Sequence, residues 1–429
     1  MLEQKYIKGS TAVNIARSIE AAVTSGHAAA GDALPPLRAV AAHLGVALAT
    51  VAAAYRILQE RGITSADGRR GTRIRATAGG ERHAASPLPR GVHDLADGNP
   101  DRALLPNLQR VVRKLEVKQR LYGEEFRDSK LVSMARRQFR SDGVPARAIA
   151  IVSGALDGIE RVLRERLRAG DRVFVEDPGF PGVLDLLASL SLTAVPVAVD
   201  DEGMRPEAIR GSAEAIIVTP RAQNPTGAAM TKRRARQLRA VLRQRSDLFV
   251  IEDDHAGPVA GAPYVTLIER DRARWAVVRS VSKYFGPDLR VAVMAGDAET
   301  IAAVERRQST GTRWVSHVLQ AIVAALWNDR SLKVAEKIYT TRRNALLRAL
   351  AKHGIAAHGR SGLNVWIPVA EESAVVQALM RKRWAVNAGE RYRLQSGPAI
   401  RVTIATLTEA RKFASDLAEV LMWRSAAAA

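Results

Sequence analysis

The sequence contains no cysteine. That excludes a disulfide scaffold, a thiolate metal site and a cysteine nucleophile, and it fits a reducing compartment. No run approaches about 18 uninterrupted apolar residues, so no membrane span is expected. The opening residues MLEQKYIKGS carry no apolar segment behind their charges, unlike a secretory signal. A cytoplasmic location is therefore the expectation. No internal repeat is visible. Acids are scarce beside bases: 44 Asp and Glu face 65 Lys and Arg, a formal net charge of +21. Such an excess suits a polyanionic partner, yet an arginine-rich composition that solvates helix faces accounts for it equally well. The excess is also spread out. Residues 1–80 hold ten Lys/Arg and five Asp/Glu, a net of +5, which leaves +16 on residues 81–429.

The chain of 429 residues is 47% hydrophobic, enough to bury a core and to exclude wholesale disorder. Around residues 76–92, ATAGGERHAASPLPRGV, Gly, Ala, Ser and Pro dominate and hydrophobic periodicity stops. This marks an interdomain linker, placed at 77–92, between a domain at 1–76 and a larger one at 93–424.

The first domain has a definite order. Val13, Ile15, Ala16, Ile19, Ala22 and Val23 recur at helical spacing between Ser10 or Thr11 and Gly26. A short helix is expected from Leu37 to Leu44, stopped by Gly45. A third runs from about Ala47 to Arg61, with Val51, Ala54, Tyr55 and Leu58 inward. Ile63–Ser65 and Thr72–Arg75 flank the turn Asp67-Gly68-Arg69-Arg70-Gly71, a hairpin signal. Helix, short helix, helix, hairpin is the order of a winged helix-turn-helix. In that arrangement the third helix enters a major groove of double-stranded DNA. Arg38, Thr50, Tyr55, Thr72 and the wing-tip Arg69 and Arg70 are the candidate DNA-binding residues, with Arg61, Arg73 and Arg75 in support.

This segment resembles the GntR type of winged helix. The resemblance rests on Leu34-Pro35-Pro36-Leu37-Arg38, Leu44-Gly45-Val46, Thr50-Val51, Ala54-Tyr55, Leu58, Gly62 and Arg70-Gly71-Thr72. Two places depart from it. Pro36 stands where a hydroxyl is usual before the second helix. Ala47 and Leu48 replace a Ser-Arg pair whose arginine touches DNA in the family. Because Ala47, Leu48 and Ala49 lack polar reach, specificity is expected to lean on the wing and on DNA shape.

The larger domain alternates helices with continuous apolar strands at Ala150–Val152, Arg172–Val175, Ala215–Val218, Leu248–Ile251, Ala276–Val278 and Val291–Met294. That pattern predicts a buried, mostly parallel α/β sheet with helices on both faces and a site beyond the strands' C-terminal ends. The central cluster is Ser280-Val281-Ser282-Lys283-Tyr284-Phe285-Gly286-Pro287-Asp288-Leu289-Arg290. A lysine on a turn between apolar strands can form an imine with an aldehyde, provided burial and nearby cations depress its pKa. The serines three and one residues before it can donate to a phosphate, and Arg290 can pair with that phosphate. Ser153-Gly154-Ala155 opens a helix after a strand, which is a phosphate seat. Asp253 follows another strand, Asn224 begins Asn224-Pro225-Thr226-Gly227, and Phe180 offers an aromatic face.

Together these motifs resemble the fold-type I pyridoxal-phosphate proteins of the aminotransferase class I/II family, over roughly residues 93 to 424. The resemblance implies pyridoxal 5'-phosphate as cofactor and Lys283 as its Schiff-base lysine. It implies that Asp253 pairs with the pyridine nitrogen, Phe180 stacks on the ring and Asn224 meets the phenolate oxygen. Gly154, Ala155, Ser280, Ser282 and Arg290 would hold the phosphate. Tyr122 would reach the phosphate of a neighbouring subunit, and Arg401 would grip a substrate or effector carboxylate. Relatives usually place a tyrosine just after the ring-nitrogen aspartate. Here the sequence is Glu252-Asp253-Asp254-His255, so His255 either takes the phenolate contact or is an ordinary partly buried histidine. No metal site is expected.

A GntR-like winged helix joined to an aminotransferase-like domain is similar to the MocR subfamily of bacterial regulators, with the PtsJ-like members nearest in motif. That resemblance implies a transcription factor rather than an enzyme, assembled as a head-to-tail homodimer. It would sense pyridoxal phosphate, alone or joined to an amine or amino acid, in vitamin B6 or amino-acid metabolism. Two other readings stand beside it: an active aminotransferase carrying a DNA-binding module, and a cofactor-free regulator that keeps the enzyme fold as a dimerisation core.

Overall fold

The computed structural model describes residues 2–25, 27–28, 32–60, 63–66, 72–74, 88–116 and 118–428. Arg61, Gly62, the wing tip with Arg69 and Arg70, Arg75 and residues 77–87 of the expected linker lie outside the described residues. The chain divides into two compact units, one built mainly from residues 1–87 and the other mainly from residues 88–429.

In the first unit, α1 spans Ala12–Thr24, and the Thr11 hydroxyl caps it by accepting from the Asn14 N–H at 3.3 Å. Ile15, Ala16, Ile19 and Ala22 form its buried stripe, whereas Val13 is exposed. Helix α2, Leu37–Leu44, stops at Gly45, whose φ of 65° is the left-handed conformation that glycine adopts without cost. Helix α3 covers Leu48–Glu60. The axes of α2 and α3 are bent by 118°, within the usual range for a helix-turn-helix. Strands β1 (Thr64–Ala66) and β2 (Thr72–Ile74) pair antiparallel, with Thr64 opposite Ile74. A third extended piece was not expected. Ala33 bridges Arg73, the Leu34 N–H donates to Thr72 O and the Ile74 N–H to Asp32 O. Leu34, Val40, Val51, Leu58 and Ile74 join α1 in one small core.

The second unit begins with β3 (His93–Asp94), α4 (Leu108–Val112) and α5 (Ser129–Ser141). Strand β4 (Ala148–Val152) then leads into α6 (Ala155–Arg166). The remaining strands of the main sheet are β5 (Arg172–Asp177), β6 (Thr193–Asp200), β7 (Gly203–Met204), β8 (Ala215–Val218), β9 (Phe249–Asp254), β10 (Trp275–Ser280) and β11 (Ala292–Gly296). Their order is β4-β11-β10-β9-β8-β5-β6-β7. The run β10, β9, β8, β5 is parallel, and β11 is antiparallel to both β10 and β4. The sheet is thus mixed but mostly parallel. Strands β4, β5, β8, β9, β10 and β11 are buried along nearly their whole length, as their unbroken apolar runs require, whereas β6 is only partly buried.

A smaller sheet closes the chain: β12 (Asn364–Pro368), β15 (Ala399–Thr403) and β14 (Asn387–Ala388), with β15 central. β13 (Trp384–Ala385) pairs with β3. No single described helix is long and apolar enough to cross a membrane.

Candidate functional site

Parallel pairing makes β5, β8, β9 and β10 leave the sheet at one edge. Strand β4, reached through two antiparallel steps, leaves it there too. The segments after these strands therefore share that edge: 153–155, 178–180, 219–224, 255 and 281–290.

One end of the edge is built for an anion. Gly154 caps the N-terminus of α6 with a φ of 107°, and a Cβ on it would lie 2.6 Å from Arg290 Nη2. A side chain there would displace the Arg290 guanidinium, and the φ is one that L residues rarely adopt, so the position favours glycine. The Arg290 Nη2 donates to Ser153 O at 2.8 Å, which pins the guanidinium at the helix start. Ser280 and Ser282 place their hydroxyl oxygens 3.0 Å apart, and the Ser282 N–H donates to Ser280 Oγ at 3.2 Å. Two hydroxyls, a guanidinium and a helix N-terminus beginning at Ala155 form the donor set that a phosphate needs.

Strand alternation sorts the acids of β9. The Asp254 carboxylate accepts from Arg221 Nε and Nη2 at 2.8 and 2.9 Å and from Arg279 Nε at 2.6 Å. Burial alone would raise its pKa, but the two guanidiniums overcome burial and hold it well below the carboxylate range. Glu252 is likewise buried but accepts from Tyr264, Thr266 and the Leu267 N–H. Asp253 differs from both. It is 4% exposed, and its Oδ1 has no hydrogen-bond partner. Burial, with Asp254 and Glu176 nearby, pushes it up to about 7. A buried carboxyl with an open oxygen suits a protonated ring nitrogen.

Lys283 occupies the turn between β10 and β11, and its Nζ donates to Gly98 O at 2.8 Å. Burial, reinforced by the Arg401 charge, lowers its pKa. His255 is held at about 4 by burial and by the charge of Lys283, so its ring is neutral near pH 7. Asn224 Oδ1 accepts from Asn364 Nδ2 at 3.2 Å and from Arg401 Nη1 at 3.5 Å. Its NH2 side remains available as a donor. Arg401, central in β15 and 5% exposed, also donates to Ala96 O and lies over the Tyr392 ring. Among the described residues it makes no ion pair at contact distance, and burial lowers its pKa, opposed in part by Tyr392 and by the more distant Asp97 and Asp94. A buried guanidinium whose nearest acids stay out of contact can receive a carboxylate.

Phe180 follows β5 and is 38% exposed. The preceding Asp177 carboxylate accepts from the N–H groups of Leu394, Gln395 and Ser396, which ties that turn to the loop before β15. Tyr122 stands apart from the cluster. It is 77% exposed, packs edge-on to Trp314 and lies beneath Arg313. Several participants were not visible in the sequence: Glu176, Asn364, Tyr392, the carbonyls of Ala96 and Gly98, and the Arg221–Asp254–Arg279 group. The only signal was the acidic run itself, since three consecutive acids on a strand demand buried partners.

In the first unit, Arg38 is exposed at the start of α2, and Thr50 and Thr72 are half-buried. Tyr55 requires a correction. Its ring belongs to the core, and its hydroxyl donates to Pro35 O at 2.7 Å. Because it faces inward and holds the loop before α2, it presents nothing to a DNA groove.

Comparison with known proteins bears on both units. Residues 125–412 match the family described as aminotransferase class I and II. Residues 11–74 match the bacterial regulatory proteins of the gntR family. The vitamin B6 salvage pathway transcriptional repressor PtsJ of Salmonella typhimurium is 39% identical, over 97% of this chain and 99% of its own. The HTH-type transcriptional regulator TauR of Rhodobacter capsulatus is 27% identical, over 83% and 82% respectively. Among solved structures, a multiple substrate aminotransferase from Thermococcus profundus superposes with a TM-score of 0.71 at 19% identity, covering 79% of this chain and 93% of that one. That likeness establishes the fold.

Proposed function

The chain belongs to the bacterial gntR-type transcriptional regulators that carry an aminotransferase class I and II domain, and on that premise we propose that pyridoxal 5'-phosphate is the ligand it senses. The observation that carries this reading is Asp253, a buried carboxyl with an unpartnered oxygen on the edge that also holds Lys283 and the anion seat. The functional division we propose is 1–76 for DNA binding, 77–92 as linker, and 93–424 for ligand binding and dimerisation. We propose vitamin B6 salvage as the regulated metabolism and repression as the mode, a reading supported by the likeness to PtsJ, which carries that description.

The residues fit the group. Gly154, Ala155, Ser280, Ser282 and Arg290 would hold its phosphate, Asp253 its ring nitrogen and Phe180 one ring face. Asn224 and the neutral His255 would meet its phenolate oxygen. When bound, the cofactor supplies an aldehyde that a neutral amine can attack. Lys283 is prepared for this, because burial and Arg401 shift it toward the unprotonated amine and Gly98 O orients its Nζ. Arg401 would receive the carboxylate of an amino-acid effector. Tyr122, exposed on the surface, would serve the neighbouring protomer of a head-to-tail homodimer. Ligand changes DNA affinity only through its differential affinity for two arrangements of the dimer.

An absorbance spectrum with and without pyridoxal phosphate, run beside a DNA shift assay, tests this reading. Cofactor should give visible absorbance that Lys283→Ala abolishes, and it should change the DNA shift of the natural protein. No spectral change on Lys283→Ala would refute the assignment. Robust turnover with a common amino donor would instead favour an enzyme that carries a DNA-binding module.

A further inference from the structure

The start of α3 is apolar and open. Leu48 is 46% exposed, and Ala47 and Ala49 on either side are exposed as well. The core needs none of the three, because α3 packs inward through Val51, Ala54, Tyr55 and Leu58. The 118° bend at Gly45 is the geometry that presents this helix start to a major groove. The surroundings suit a polyanion: Arg38 and Arg56 are exposed, and Glu60 is the sole acid in residues 37–60.

In the major groove of DNA, the C5 methyl of thymine is the apolar group that base pairs display. An exposed leucine between two alanines has nothing to offer a hydrogen-bonding edge, yet it matches a methyl. The alanines add no bulk that would hold the helix away from the bases. We infer that Leu48, supported by Ala47 and Ala49, reads thymine methyl groups in each half-site. Direct readout at the helix start then persists without polar side chains, in addition to any contribution from the wing. The inference rests on the DNA-binding reading above.

The test uses the full-length protein and duplexes it selects from a random pool. Each selected duplex is made with dT and with dU, which differ only by the C5 methyl. Burying one methyl is worth roughly a fourfold change in affinity, so dU at one or two places per half-site should weaken binding about fourfold each. Leu48→Ala should bring the dT-to-dU ratio at those places toward one. Leu48→Arg should move the preference there from thymine toward guanine. Equal binding to dT and dU duplexes everywhere, or a ratio untouched by Leu48→Ala, would overturn the inference. So would a change in solution mass on Leu48→Ala, which would assign the side chain to a protein contact. A protein that retains no duplex at all defeats the DNA-binding reading itself, an outcome distinct from these.

Discussion

Asp253 and Asp254 are adjacent in sequence and both buried, yet the structure requires that neutralising them have opposite effects. Asp254 serves two buried guanidiniums. Replacing it by Asn leaves Arg221 buried without its ion-pair partner and Arg279 with Asp142 alone, a loss of about 3–5 kcal/mol. Asp253 has no protein partner at Oδ1 and is pushed from an ordinary 3.8 up to about 7. At 1.36 kcal/mol for each tenfold change in proton affinity, that rise disfavours the fold by about 4 kcal/mol once the pH is above 7. The sign follows from proton counts. Between 3.8 and about 7 the folded protein holds a proton that the unfolded chain has lost, so stability falls as pH rises through that window.

Asp253→Asn removes the penalty but leaves a buried amide without a partner, itself costing about 1–3 kcal/mol. The cofactor-free variant should therefore be roughly 1–3 kcal/mol more stable than the natural protein at pH 8. At pH 5 the penalty is down to roughly 1–2 kcal/mol, and the advantage disappears. Urea unfolding followed by tryptophan fluorescence reads the right unit, since all six tryptophans lie at or beyond Trp275. A loss of stability at pH 8 in Asp253→Asn, comparable to that in Asp254→Asn, would refute the reasoning, because it would mean that Asp253 has a stabilising partner. The Asn variant should also bind pyridoxal phosphate more weakly, having lost the counter-ion to a protonated ring nitrogen.

Tyr55→Phe should lower the stability of the first unit by about 0.5–1.5 kcal/mol through loss of the bond to Pro35 O, leaving the sequence selected from a random duplex pool unchanged. A changed selection would return Tyr55 to the DNA surface. Arg69→Ala with Arg70→Ala should weaken binding across all duplexes and reduce the salt slope by about two, and an unchanged slope would remove the wing tip from the phosphate contacts. The His358 ring sits 2.9 Å from Asp201, and that hydrogen bond raises its pKa. The pair should contribute below pH 6.5 and lose its contribution as pH rises through the higher folded value. The melting temperatures of the natural protein and His358→Gln should therefore converge at alkaline pH, and a constant gap across the range would show that the pair does not titrate as described.

Six of the eight strands of the main sheet were legible because burial on both faces leaves continuous apolar runs; the partly exposed β6 and the two-residue β7 leave no such run and were not expected. Strand ends were not legible at β9, expected to finish at Ile251 but running to Asp254. Hydropathy ends a strand at its first charge, whereas the fold carries Glu252 and Asp254 inside by giving each its own donors. Those donors come from distant segments, and nothing in the local pattern announces them. Net charge was uninformative for a related reason. Arg234 pairs with Asp200, Arg279 with Asp254 and Asp142, and Arg343 donates to Gly362 O at 2.9 Å, all three nearly fully buried. The acids cancel Arg234 and Arg279 in the count, while Arg343 adds to the +16 of residues 81–429 from inside the fold, closed to a polyanion. Charge that can meet DNA has to be judged cation by cation. On that criterion the 37–60 segment, with two exposed arginines and one acid, makes a stronger case than the total of +21 ever did.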